Sequence, residues 1–150
     1  MSLYFLDSSA LIKRYITEIG SIWLHSLVSP AAGNIIVVAE LARIEVAATF
    51  ARRQREGTLV PTLVTSLYGA FLAHLESEYL VVPIDTARLQ DAVRLANRYP
   101  LRSLDAIQLA CAIHARAFLA EPLTFICADP KLVSAAVAEG LPTDDPLAHP

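Results

Sequence analysis

Four acidic residues stand where carboxylates could gather for chemistry. Asp7 follows the apolar run Leu3–Leu6, and Asp129 follows a second apolar run, 123–127, by one residue. Glu45 borders the apolar stripe of the segment 40–56, four residues after Leu41 and three before Ala48. Asp105 opens the almost wholly apolar stretch 104–112. Each has a structural account of its own. Asp7 precedes a helix start with Ser8 and Ser9 as caps. Asp129 before Pro130 has the form of an N-cap followed by proline at the first helical position. Asp105, after a Ser103 cap, lies in a first turn where the helix dipole favours an acid. Glu45 is the hardest to explain, since a carboxylate beside a buried stripe needs a partner. Arg52 is two turns away, and Thr49 at i+4 offers only a hydroxyl.

As a set the four say more. Carboxylates drawn to about 4 Å in one cleft repel by roughly 4 kcal/mol per pair at an effective dielectric of 20. A hard divalent cation resolves that conflict, and oxygen-only ligands select Mg²⁺ or Mn²⁺ over zinc. His25, His74, His114 and His149 have no metal-binding spacing, and surface or satisfied helix positions account for them. Cys111 and Cys127 form no CxxC pair and lie in apolar stretches, as buried thiols do.

The elements that must position these residues are read from periodicity. Runs at 3–6, 35–38, 80–84 and 123–127 are continuously apolar, the pattern of parallel strands covered on both faces. Helices are expected between them. The segment 40–56 carries Leu41, Ile44, Ala48 and Ala51 on one stripe, and 62–78 repeats Leu63, Leu67, Phe71 and Leu75. The segment 86–99 groups Leu89, Ala92, Val93 and Ala96 and stops before Pro100. Ser103–Leu119 should be the most buried helix. A short helix at 130–139 ends at Gly140, and 141–143 is a small edge strand. Tyr4, Phe50 and Phe118 are expected in the core. Strands alternating with helices give an α/β fold with a mostly parallel central sheet.

At 150 residues the chain has the size of a single domain spanning 1–150, and 55% apolar residues exclude intrinsic disorder. A net charge of −3 excludes nucleic-acid binding by bulk electrostatics, so a polyanion would need a local basic patch or a metal. Lys13 and Arg14, one to two turns after Asp7, are the leading candidates for phosphate contacts. Arg52, Arg53, Arg55, Arg98 and Arg102 follow them. Residues 19–39 and 57–75 are interrupted by proline, glycine and polar residues, so neither is a membrane span. No secretory leader is expected at the N-terminus, which makes the cytoplasm the expected compartment.

Leu6-Asp7-Ser8-Ser9-Ala10-Leu11-Ile12-Lys13 resembles the opening motif of PIN-domain ribonucleases, in particular VapC-type toxins of toxin–antitoxin pairs. Residues 39–46, with Glu45 on the acidic position, resemble the second motif. Residues 104–110, with Asp105, resemble the third, and 125–129, with Asp129, the fourth. Order, spacing and length agree over essentially the whole chain. Cys127 departs from the pattern, which often has Thr or Ser there; a thiol donates poorly, so the surroundings of Asp129 are expected to be weakened.

The resemblance implies a PIN-like three-layer α/β/α sandwich and hydrolysis of RNA phosphodiester bonds with Mg²⁺ or Mn²⁺. Asp7 and Asp105 would be the main metal ligands, Asp129 and Glu45 would bind directly or through water, and Ser9 would support them from behind. It also implies a homodimer and a small cognate antitoxin. A receiver domain would need an acidic neighbour beside Asp7, and a haloacid-dehalogenase-type phosphatase would need an acid at position 9; neither is present. The alternative that stays open is a catalytically silent PIN-like module that binds RNA or protein.

Overall fold

The computed structural model describes residues 1–150. Five strands, β1 (Leu3–Leu6), β2 (Ile35–Ala39), β3 (Tyr79–Val82), β4 (Leu123–Ile126) and β5 (Thr143–Asp144), form one sheet of order β3-β2-β1-β4-β5. Every neighbouring pair is parallel. The four long apolar runs are therefore the four inner or long strands. The small fifth strand starts two residues later than its expected position at 141–143, where Thr143 and Asp144 register with Phe125 and Ile126.

The helices are α1 (Ser8–Leu11), α2 (Ser21–Val28), α3 (Ala42–Arg55), α4 (Pro61–Ser77), α5 (Thr86–Arg98), α6 (Ser103–Leu119) and α7 (Pro130–Ala138). Short 3₁₀ turns lie at Ile12–Arg14, Pro30–Ala32 and Pro146–Ala148. Alternation along the strands divides the core in two. Phe5, Val37 and Phe125 face α5, α6 and α7, with Phe5 stacked on Phe125. Leu6, Ile36, Val38 and Ile126 face the layer of α1 to α4. The result is a three-layer α/β/α sandwich, and the two buried faces explain why the strands read as unbroken apolar runs. Helix α6 buries seven residues, more than any other helix. No helix is long and apolar enough to cross a membrane.

Several faces differ from expectation. In α3 the buried row is Ala42, Val46 and Phe50, while Ile44 and Ala48 point outward. In α5 the core takes Ala92 and Leu95, leaving Leu89 and Val93 exposed. Both helices have two apolar rows, and the interior takes only one. Phe118 is 76% exposed and stacks on His114 instead of filling the core, whereas Phe50 is buried and Tyr4 packs at the core edge. Helix α2, for which periodicity gave no signal, follows Gly20 at φ +90°. A Cβ there would meet the Pro146 carbonyl oxygen at 2.4 Å, so glycine is required by both conformation and space.

Candidate active site

In this strand order the direction of winding reverses between β1 and β4, and ligands of open α/β sheets bind beyond the strand ends at such a point. Asp7 leaves β1 there and Asp129 leaves β4. The Asp7 N–H still bonds the Ile126 carbonyl at 3.2 Å, holding the two strand ends together. Asp7 itself caps α1, a role expected of Ser8 or Ser9: its Oδ1 accepts from the Ala10 N–H at 3.0 Å and from Ser9 Oγ at 2.7 Å. Ser9 Oγ also accepts the Ala128 N–H at 3.0 Å, stitching the turn after β1 to the turn after β4.

Asp7 is 5% exposed, and burial raises its carboxyl to about 6. The charge of Glu45 adds to the rise, and hydrogen bonds from Cys127, Ser9 and Ala10 oppose it. Cys127 does more than leave a weak place beside Asp129. Its thiol donates to Asp7 Oδ2 at 3.0 Å while its sulfur accepts the Asp129 N–H at 3.3 Å. Burial, then the nearby Asp7 charge, pushes this thiol well above the ordinary cysteine range.

Glu45 has partners that sequence reasoning missed. Its Oε1 accepts from Ser8 Oγ at 2.8 Å and from Gln108 Nε2 at 2.7 Å, and Gln108 Nε2 also reaches Ser8 Oγ at 3.0 Å. The available signal was a glutamine three residues after Asp105, hence on the same face of an otherwise apolar helix. Arg52 pairs with Glu56 instead, and the Thr49 hydroxyl bonds the Glu45 backbone carbonyl.

Asp105 lies in the first turn of α6, but Ser103 is the first helical residue and not the cap. Arg102 holds the cap position without a side-chain hydrogen bond. Burial raises the Asp105 carboxyl and the charge of Asp129 raises it further, with Arg102 opposing. Asp129 caps α7 as its sequence suggests, accepting the Lys131 N–H on Oδ1 at 3.0 Å.

The charge of Glu45 thus bears on Asp7 and that of Asp129 on Asp105. No three His, Cys, Asp or Glu side chains stand close enough together to hold one ion. The donor set nevertheless fits a hard divalent cation. It is all oxygen, Asp7 and Asp105 both resist ionisation, and a positive charge beside them would relieve that resistance.

Lys13 and Arg14, expected as phosphate contacts, are both engaged by protein groups. The turn Ile12–Arg14 carries Lys13 into the protein, where it is 5% exposed with Nζ 3.5 Å from Glu18. Arg14 is committed to Glu78 at 2.8 Å, the Tyr79 hydroxyl at 2.8 Å and His74 at 3.3 Å. Arg53 and Arg98 are paired with Glu18 and Glu139. Arg102 and Lys131 have no carboxylate partner, are exposed, and flank Asp105 and Asp129 in the chain. The histidines take structural places: His74 bonds Tyr15, His25 bonds the Arg14 carbonyl, and His149 pairs with Asp144 and stacks on Trp23. Cys111 is buried, with its thiol pushed up to about 12.

The family model described as PIN domain matches residues 4–120. No curated protein matches the sequence. Among solved structures, a chain of the VapBC2 complex from Rickettsia felis, bound to a DNA fragment from its promoter, is similar with a TM-score of 0.65 and 11% identity. That match covers 95% of this chain and 98% of the other. A chain of FitAcB from Neisseria gonorrhoeae has a TM-score of 0.61 and 14% identity, covering 96% and 98%.

Proposed function

The chain belongs to the PIN domain family, and from that premise we propose that it is a divalent-cation-dependent endoribonuclease, the toxin of a toxin–antitoxin pair. The observation that carries this reading is Asp7: a carboxylate at the winding reversal, 5% exposed and raised by burial to about 6. Maintaining such a group costs stability unless a cation uses it.

Asp7 and Asp105 are the main ligands in this reading, with Asp129 and Glu45 binding directly or through water, and Mg²⁺ or Mn²⁺ as the ion. When bound, the cation supplies charge neutralisation at the scissile phosphate and lowers the pKa of the attacking water. Ser9 and Cys127 hold the two oxygens of Asp7 from behind, so the carboxylate is oriented before substrate arrives. Arg102 and Lys131 replace Lys13 and Arg14 as phosphate contacts, since their charges are free and lie beside the acids. The whole chain acts as one domain in the cytoplasm, pairs with a second copy, and is silenced by a small antitoxin. The similar chains of VapBC2 and FitAcB support the toxin–antitoxin part.

The test is a calorimetric Mn²⁺ titration of wild type, Asp7→Asn and Asp105→Asn, followed by RNA cleavage with and without chelator. Binding and cleavage by wild type alone is the expected result. RNA binding that survives both substitutions, with no metal uptake and no cleavage by any of the three, would establish the silent binding module instead.

A further inference from the structure

Gln108 is 3% exposed, on the helix that carries Asp105. Its amide nitrogen is identified by its partners: Glu45 Oε1 at 2.7 Å accepts and cannot donate, so the group facing it is the NH₂. The other end of the amide, Oε1, is buried with no hydrogen-bond partner at all. An orphaned buried acceptor destabilises a fold, and its neighbours along α6, Ala106, Leu109, Ala110, Cys111 and Ala112, are all apolar and buried. A leucine or methionine at 108 would match those neighbours and leave nothing unsatisfied. Glutamine leaves that acceptor unpaired where an apolar residue would not, and the interaction it secures is with Glu45. Ser8 completes the arrangement, so α1, α3 and α6 meet on one carboxylate oxygen, while no protein group bonds Glu45 Oε2.

We propose that Gln108 is a positioning residue: it holds Glu45 by Oε1 in the orientation the cation site requires, at the expense of its own unsatisfied amide oxygen. The inference rests on the metal-dependent reading above. Groups that support a ligand from behind change metal affinity by about 10- to 100-fold when lost.

The experiment compares wild type, Gln108→Met, Glu45→Gln and the double variant by thermal melting without metal and by Mn²⁺ calorimetry. Gln108→Met is expected to melt no lower than wild type and to bind Mn²⁺ about 10- to 100-fold more weakly. In the Glu45→Gln background the same substitution is expected to change Mn²⁺ affinity no further, because Gln108 acts through Glu45. Gln108→Leu serves as a second apolar replacement. A lowered melting temperature with unchanged Mn²⁺ affinity overturns the proposal, as does unfolding of both apolar variants, since either assigns Gln108 to the fold. An equal loss of affinity in both backgrounds overturns it too. Wild type that binds no Mn²⁺ overturns the metal reading and this inference with it. Wild type that binds while Gln108→Met binds equally well overturns this inference alone.

Discussion

The buried carboxyl of Asp7 makes stability depend on pH in a direction opposite to that of an ion-paired aspartate. Its folded value, about 6, lies above the ordinary 3.8, so folding favours the protonated form. The associated stability is complete below the unfolded value and is lost as pH rises through about 6. A shift of this size corresponds to about 3 kcal/mol. Asparagine keeps an oxygen to accept from Ser9 and the Ala10 N–H but has nothing to ionise. In chelator, Asp7→Asn is therefore expected to gain stability relative to wild type as pH climbs from about 4 to about 7. Denaturant melts at several pH values check this. Parallel pH profiles for the two proteins would show that Asp7 is not held in a raised state.

At the scale of elements, Asp85 and Asp129 have the same local role and different expected consequences. Both cap helices, accepting from Arg88 N–H and Lys131 N–H respectively. Asp85→Ala should cost about 1 kcal/mol and leave Mn²⁺ binding intact. Asp129→Ala should lose a similar amount of stability together with metal affinity, whereas Asp129→Asn should keep the cap and lose only affinity. Paired melts and titrations separate these; equal Mn²⁺ affinity across all three variants would make Asp129 a cap and nothing more. The same elements show what the sequence made legible. β1 to β4 were readable because strands covered on both faces leave unbroken apolar runs, and the acids because they interrupt apolar patterns. The orientation of α3 and α5 was not, because each carries a second apolar row and only tertiary packing selects Val46 and Leu95 over Ile44 and Val93. Gln108 and Ser8 were missed as partners of Glu45 for a related reason: they come from segments 63 and 37 residues away, respectively, a separation that no local period encodes. The burial of Lys13 was not legible because its charge suggested solvent, while a 3₁₀ turn after α1 carries it into the protein beside Glu18.

For the whole molecule, the unused apolar row of α5 has a consequence. Single exposed apolar side chains are ordinary. Here Leu89, Ala92, Val93 and Ala96 of α5 join Ala106 and Ile107 of α6 in a continuous groove of about 210 Å³. Its walls carry no charged residue. Leu104, also exposed, stands in the chain between Ser103, which lines the groove, and Asp105. A neutral apolar face can pair with its own copy about a twofold axis with no charge repulsion, so it suits a second copy of the chain better than a polyanion. This face is the expected homodimer interface. Val93 is 61% exposed, so Val93→Glu should leave the monomer fold within about 0.5 kcal/mol of wild type while placing a charge in the interface. Light scattering is expected to find wild type dimeric and Val93→Glu monomeric. Melting temperature should rise with protein concentration for wild type only. A dimer that persists in both Val93→Glu and Leu104→Glu would move the interface elsewhere, with the exposed Phe118 and Leu80 as the next apolar face to substitute. Wild type that stays monomeric at the highest concentration tested would remove the homodimer from the reading and require each crevice to work alone.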